Sequence, residues 1–320
     1  FNWQVGVQQD PYFYVEQSGY AIDPSINEPV FVTDIRRLVF RSVFAQAIYP
    51  FSRFQRVELG VRGVNVSDGI YQIVEPLNPF RDVTIERLSG PSHTYFQPSL
   101  AWVYDNSLFG YTAPFAGRRS RLSVSQNVGG WRFTEVLVDS RRYDKIAGPV
   151  NFASRLLFLG RMGRDADQFR IFGGIPDILR GNTSGSYRRN ECINAGTIDP
   201  NSTTGCDALD RLIGSRLAVG NFELRFPILT RQIIRNLPAG IPPLEGNIFY
   251  DIGLVWDGGD TIKWQREPGD DPLRVREPLM AYGAGVRTNL FGFIVLRLDY
   301  ARPLRRDIKS LWTLSLGPAF

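Results

Sequence analysis

The feature that most constrains this chain is a two-residue alternation of apolar and polar side chains, which recurs in successive segments. At the C-terminal end, Trp312, Leu314 and Leu316 share one parity, and small or polar residues fill the other. A β-strand places successive side chains on opposite faces, so this period indicates strands with one apolar face. The same alternation occurs over residues 221–226, 248–257, 282–289 and 294–300. The C-terminal part of the chain is therefore predicted to form a series of amphipathic strands.

Alternation alone does not say which face points to solvent, and a soluble β-sandwich would bury the apolar one. The aromatic residues distinguish the two cases, because they cluster near the ends of the apolar faces: Tyr250, Trp256, Tyr282, Tyr300, Trp312 and Phe320. Aromatic girdles of this kind flank the apolar band of transmembrane barrels. In lipid, only a closed barrel pairs every strand backbone group. The pattern favours an all-β, antiparallel transmembrane barrel, with its charges pointing into the lumen.

The composition is compatible with such a barrel and disfavours two other classes of protein. Mean hydropathy is −0.16 and charged residues make up 22%, as expected when lipid-facing and lumen-facing residues alternate. The sequence has no run of roughly 18–20 apolar residues, which a membrane-spanning helix requires. The net charge of +5 is spread along the chain. Nucleic acid binding usually needs a clustered basic patch, so no nucleic acid partner is predicted.

We predict thirteen strands, over residues 1–16, 33–48, 54–66, 95–105, 118–128, 131–141, 151–162, 167–173, 213–226, 246–257, 280–289, 293–302 and 311–320. Short connections over 127–130, 163–166 and 289–292 contrast with long polar ones over 174–211 and 257–278. Outer-membrane barrels show this asymmetry between short periplasmic turns and long outer loops. The segment 67–92, which contains three prolines, is left unassigned.

The domain organisation is predicted to be simple. No internal repeat or linker is visible, so residues 1–320 are assigned to one outer-membrane β-barrel domain. Bacterial single-chain barrels have an even number of strands. An odd count therefore indicates either a miscount or a chain that begins inside the barrel, and we favour the second, with the first strands upstream of Phe1.

The two cysteines, Cys192 and Cys206, lie in the polar segment ECINAGTIDPNSTTGC. They are either unrelated buried thiols or a disulfide, and the polar surroundings favour a disulfide formed in an oxidising compartment. Closing a loop of roughly 15 residues would contribute about 3 kcal/mol in the chain-entropy model. A zinc site needs more Cys or His ligands than the chain contains.

The sequence offers no recognisable catalytic constellation. The only histidine, His93, is predicted to lie in a surface loop without a nucleophile or metal partner. No GxSxG elbow, phosphate-binding glycine loop or metal-ligand cluster occurs. We therefore expect a protein that is not an enzyme and that has no cofactor and no metal.

Four segments resemble one family when they are taken together. They are GGIPDILRGN (173–182), VGNFELRFPIL (219–229), FYDIGLVWD (249–257) and GAGVRTNLFGFIVLRLDYARPL (283–304), followed by the aromatic terminal strand. This set is similar to the bacterial surface antigen family, the BamA/TamA-like outer-membrane assembly factors. The segment YPFSRFQRVEL (49–59) resembles relatives that carry a propeller-type periplasmic domain. The resemblance is strongest over the last part of the chain.

The resemblance implies a sixteen-stranded barrel whose first and last strands meet at a weak seam, with a soluble periplasmic domain before it, upstream of Phe1. It also implies that a long outer loop folds back into the lumen, where its arginine docks on acidic residues of the barrel wall. These positions correspond here to Arg180, Glu223 and Asp251, with Gly181 giving room for the close approach; we call these four residues the loop lock. Alternation places both acidic residues on the inward face. The chain departs from the family at Asn182, where an aromatic residue is usual.

The resemblance further implies an integral outer-membrane protein that inserts or translocates polypeptides. Its partners would be membrane lipid, client polypeptides and periplasmic or lipoprotein partners. The terminal-strand signal of the family corresponds to Trp312, Leu314, Leu316 and Phe320. Two alternatives remain open at the sequence level, namely a structural or anchoring subunit of an envelope complex and a passive pore or solute transporter.

Overall fold

The computed structural model describes residues 1–23, 28–78, 80–183, 186–187, 191, 207–229, 242–271, 274–306 and 308–317. Antiparallel strands make up most of these residues, which confirms the predicted all-β fold. Within the described ranges, no helix is long and apolar enough to span a membrane.

Seventeen strands and one short helix are described. The strands are β1 Asn2–Asp23, β2 Glu28–Pro50, β3 Gln55–Pro76, β4 Thr84–Asp105, β5 Leu108–Phe109, β6 Pro114–Gly129, β7 Phe133–Ala147, β8 Val150–Met162, β9 Ile171–Phe172, β10 Ile213–Gly214, β11 Arg216–Leu229, β12 Leu244–Trp256, β13 Thr261–Ile262, β14 Val275–Arg276, β15 Leu279–Leu290, β16 Ile294–Leu304 and β17 Leu311–Leu316. The helix, α1, is Asp207–Asp210. The main sheet has the order β1-β2-β3-β4-β6-β7-β8-β11-β12-β15-β16-β17, with β5 paired to β6.

The residues group into two compact units. The first comprises 1–48, 58–100 and 125–133, and the second comprises 49–57, 101–124 and 134–320. In the first unit, β1 and β2 pair almost throughout, from Asn2 with Ile48 to Asp23 with Glu28. The second unit contains every residue of the loop lock. The prediction of a single barrel domain over 1–320 stays a prediction.

The second unit has the polarity of a membrane protein. On its even-numbered positions, large apolar side chains are exposed, such as Leu314 at 67% and Ile248 at 55%. On its odd-numbered positions, charged side chains are buried, such as Asp251 at 0% and Arg287 at 2%. A soluble sandwich would show the reverse arrangement. The inner face of the sheet is therefore the polar, odd-numbered one, as the alternation and the positions of the aromatic residues together predicted.

The predicted strand over 167–173 is wrong. Only Ile171–Phe172 is extended there, as β9, which pairs with β10 in a separate two-stranded sheet. The preceding backbone is held in turns, where Gln168 N donates to Asp165 O at 3.2 Å. Arg161 also donates to the Phe169 carbonyl at 2.6 Å, so this carbonyl is occupied by a side chain. The predicted short turn over 163–166 thus begins the long connection from β8 to β11.

The unassigned segment 67–92 is mostly strand, because β3 continues to Pro76 and β4 begins at Thr84. His93 consequently lies within β4 and not in a loop, which corrects the prediction. Its ring stacks on Trp131 with the ring centroids 4.8 Å apart. A packed imidazole of this kind needs no functional explanation.

Candidate functional site

The segment that resembles the family motif packs through an apolar turn on the inner side of the second unit. Ile178 N and Leu179 N both donate to Ile175 O, at 2.9 and 3.0 Å, which forms one helix-like turn. Leu179 is 1% exposed and packs with Leu212 and Leu279. This apolar seat fixes the backbone immediately before Arg180.

Arg180 lies between the two acidic residues that the resemblance indicated. Its Nε and Nη2 donate to Asp251 Oδ2 and Oδ1, both at 2.7 Å, which is a forked pair. Its Nη1 donates to Glu223 Oε1 at 2.5 Å, and its backbone N donates to Asp251 Oδ2 at 3.2 Å. All three side chains are at most 6% exposed. Forked, charge-assisted bonds are strong and directional, so they define one position for the loop.

Neighbouring side chains hold this arrangement in place. Asn221 lies opposite Asp251 in the β11–β12 register, and its Nδ2 donates to Asp251 Oδ1 at 2.9 Å. The same Nδ2 donates to Ile178 O at 3.0 Å, so the amide bridges strand and loop. The Phe249 ring centroid is 3.7 Å from Cζ of Arg180, which adds a cation–π contact.

The ion pairs extend beyond the predicted residues. Glu223 accepts from Arg180 on Oε1 and from Arg225 Nε on Oε2, the latter at 2.7 Å. Arg287 Nη1 lies 3.5 Å from Glu223 Oε2, and Arg287 Nε lies 3.4 Å from Glu245 Oε2. Arg225 and Arg287 were not predicted from the sequence, although both stand in the quoted motifs at inward-facing parity. Three guanidinium groups therefore face three carboxylates, which offsets the cost of burying each charge alone.

Gly181 allows the loop to approach the barrel wall. Its φ is +78°, a backbone conformation that glycine adopts without strain. A Cβ at this position would lie 3.0 Å from Cβ of Ala281 and 3.3 Å from Cβ of Ala301. Asn182, where the family usually has an aromatic residue, is fully buried. Its side-chain amide atoms make no hydrogen bond within the described residues.

Replacing Gly181 with alanine is expected to destabilise the loop by about 1–3 kcal/mol, because it adds left-handed strain to a tight contact. The measurement is the urea midpoint in detergent micelles, together with the rate of protease cleavage within 163–215. Gly148→Ala has positive φ (+53°) but open space around it, so it isolates the strain. Gly259→Ala has neither feature. A Gly181→Ala effect no larger than that of Gly259→Ala would contradict the close approach.

The loop has further attachments near the strand ends. Arg306 Nη1 donates to Gly181 O at 2.7 Å, and its Nε donates to Glu191 Oε1 at 2.9 Å. Arg297 pairs with the carboxylate of Asp177. Arg211, at the far end of the loop, pairs with Glu277 at 2.9 Å. Burial, together with nearby Arg266, lowers the pKa of Arg211.

The other predicted site residues lie away from the loop lock. Trp312, Leu314 and Leu316 form the exposed face of β17, with Trp312 and Tyr300 ring centroids 4.9 Å apart. Phe320 and both cysteines, Cys192 and Cys206, lie outside the described residues, so the disulfide stays a prediction. In the part of the chain that the structure describes, no group of three or more His, Cys, Asp or Glu side chains could hold a metal ion.

Comparisons with known proteins place this chain in a family. A model of the Omp85 superfamily domain matches residues 47–310. A comparison with curated proteins finds no match. Among solved structures, BamA from Haemophilus ducreyi lacking POTRA domains 1–3 is 12% identical with a TM-score of 0.53, and the match covers 90% of this chain and 62% of that chain. CdiB from Acinetobacter baumannii is 13% identical with a TM-score of 0.51, and the match covers 98% of this chain and 47% of that chain.

At this level of identity the similarity to the solved structures supports the fold alone. The chain spans less than two thirds of the length of either solved chain. The family match is broader, because it includes the loop motif and all of β11, β12, β15 and β16. The chain belongs to the Omp85 superfamily, and it is an integral outer-membrane β-barrel protein.

Proposed function

We propose that this protein inserts or translocates polypeptides at the outer membrane, and that the loop lock holds the 163–215 connection against the inner face of the barrel. The observation that carries the proposal is the forked pair of Arg180 with Asp251, together with its bond to Glu223, inside an Omp85 domain. The partners would be client polypeptides, periplasmic or lipoprotein partners, and membrane lipid.

The chemistry of the loop lock supports a role for the loop position itself. A buried ion pair usually stabilises a protein no more than apolar packing of the same volume. The connection already has an apolar seat around Leu179. The ion pairs of Arg180 with two carboxylates therefore fix the loop in one position, and they add little stability beyond what apolar packing would give. Under the proposed function, this defined loop position gives a client polypeptide one inner surface to contact.

Two other functions compete with this proposal, and both are non-enzymatic, as is the proposed one. A structural or anchoring subunit would use the barrel only as an attachment to the membrane. A passive pore or solute transporter would need an open lumen, whereas the segment around Leu179 and Arg180 occupies the inner face of β11 and β12. This occupation favours insertion or translocation over a wide pore.

The test is depletion of the full-length protein from its host, followed by proteomic quantification of folded outer-membrane barrels. A broad loss of other barrels is expected for an insertion factor, and loss of one exported protein is expected for a dedicated translocator. Complementation of the depleted host with Arg180→Lys or Arg180→Ala then shows whether the forked pair is required to restore the folded barrels. An unchanged outer membrane after depletion would contradict the proposal and leave an anchor or pore.

A further inference from the structure

A second segment also lies on the inner face, and it comes from the short connection between β4 and β6. β5 pairs with the start of β6, and Gly110 N donates to Ala113 O at 2.9 Å, which closes a tight turn. We call residues Leu108–Pro114 the inward hairpin. Thr112 and Ala113 are only 4% and 5% exposed. Connections normally run over the surface, so this burial requires an explanation.

Three hydrogen bonds hold the inward hairpin on distant strands. Arg225 Nη1 donates to Pro114 O at 2.9 Å, across 111 residues of sequence. Asn289 Nδ2 donates to Tyr111 O at 2.7 Å, across 178 residues. The Thr112 hydroxyl donates to a carboxylate oxygen of Glu245, across 133 residues. The three partners belong to β11, β12 and β15, and all stand at inward-facing odd positions.

At the base of the hairpin the chain changes direction sharply. Gly117 has φ +96°, and a Cβ there would collide with the carbonyl group of Asn106. Asn106 N donates to Arg118 O at 3.0 Å, and Arg118 N donates to Asn106 Oδ1 at 2.7 Å. A glycine in this conformation, flanked by such bonds, redirects a strand as a β-bulge does. The inward course is thus specified by the local sequence.

The hairpin is connected to the loop lock through side chains. Arg225 donates to Pro114 of the hairpin and to Glu223, whose other oxygen accepts from Arg180. Arg287 makes a parallel connection, because it faces both Glu223 and Glu245. A cavity of about 540 Å³ borders Tyr111 and Glu245. The hairpin therefore has space into which it can move.

We propose that the inward hairpin is a plug that closes one mouth of the barrel lumen, and that Arg225 and Arg287 couple its position to that of the loop lock. The inference that the hairpin is a plug depends only on the three hydrogen bonds described above. The coupling rests on the proposed function of the loop lock. A client that enters the lumen from this mouth displaces the hairpin, which removes Arg225 from Pro114 and loosens the support of Glu223.

The first test is cysteine accessibility in the full-length protein, using a water-soluble maleimide. The probe is Ala113→Cys, which is buried and donates none of the three bonds, and the matched control is the exposed neighbour Tyr111→Cys. Peptide mass spectrometry reads each site separately from Cys192 and Cys206. Slow labelling at 113 and fast labelling at 111 are expected. Adding Asn289→Ala should speed labelling at 113 about tenfold, because one of the three hydrogen bonds that hold the hairpin is lost.

The second test is ion conductance in planar bilayers. Thr112→Val combined with Asn289→Ala is expected to raise the open probability several-fold above wild type, and Thr112→Val alone less so. Heat-dependent gel mobility shows whether each variant is folded. If the double variant does not fold, the conductance of the Thr112→Val single variant is the test. Equal labelling at 111 and 113, or unchanged conductance in a folded variant, would overturn the plug.

The coupling has its own readout. Arg180→Ala should speed labelling at Ala113→Cys about tenfold, since Glu223 then loses its partner on one side. An unchanged rate would overturn the coupling and leave the plug. Neither labelling nor conductance involves a client polypeptide. A protein whose depletion leaves other barrels intact, but whose hairpin behaves as described, would therefore contradict the proposed function and not the plug.

Discussion

Replacing Arg180 with alanine is expected to destabilise the protein by about 3–5 kcal/mol, as does removal of one partner from a buried ion pair. Asp251, which is fully buried, would keep only the neutral amide of Asn221 among the partners described above. Glu223 would keep Arg225 and Arg287. The loss should appear as a lower urea midpoint in detergent micelles and as faster protease cleavage within 163–215.

Two controls show whether the forked geometry carries this effect. Arg180→Lys keeps the charge but cannot form the fork, so we expect a smaller loss than with alanine. Asp251→Asn in the Arg180→Ala background should recover part of the loss, because the unpaired charge is removed. An Arg180→Ala variant within about 0.5 kcal/mol of wild type would show that the loop is held by its apolar seat instead.

The second large effect is expected on the opposite face of the sheet. Leu314→Arg should cost about 2–4 kcal/mol if the position lies near the bilayer midplane, because a cation would then face lipid. Leu314 is 67% exposed and pairs with Leu298 on the same face. The measurement is the free energy of unfolding in lipid vesicles.

Thr313→Arg is the matched control, one residue away on the inner face and opposite Asp299. An arginine there faces a carboxylate, so its effect should stay within about 1 kcal/mol of wild type. Equal losses for Leu314→Arg and Thr313→Arg would contradict the assignment of the two faces.

The sequence predicted the short strands better than the long ones. β15 and β16 differ from the predicted 280–289 and 293–302 by at most two residues at either end. β3 and β4 each have 22 residues, whereas the sequence predicted strands only over 54–66 and 95–105. About 9–11 residues suffice to cross the bilayer, so alternation marks only that part of a strand. Beyond residue 66, β3 continues with polar side chains such as Asp68, which accepts from Arg36 at 2.6 Å, and these leave no apolar period to detect.

Some residues of the site could be predicted from the sequence and others could not. The loop-lock residues were predicted from local motifs, and alternation placed Glu223 and Asp251 on the inner face. The partners Arg225 and Arg287 stand at the same parity, yet which carboxylate each one meets depends on the register of three strands. The inward hairpin was not predicted, because its contacts join residues more than a hundred positions apart.

The odd-numbered positions of the loop lock restrict how these strands can change length during evolution. Inserting or deleting one residue within β11 reverses the facing of every later side chain up to the next irregularity. Glu223 would then turn toward lipid while Phe222 or Leu224 entered the lumen. Tolerated changes within β11 and β12 must therefore come in pairs or coincide with a bulge. The connections between the strands carry no such restriction, so relatives of this protein should differ in length there by any number of residues.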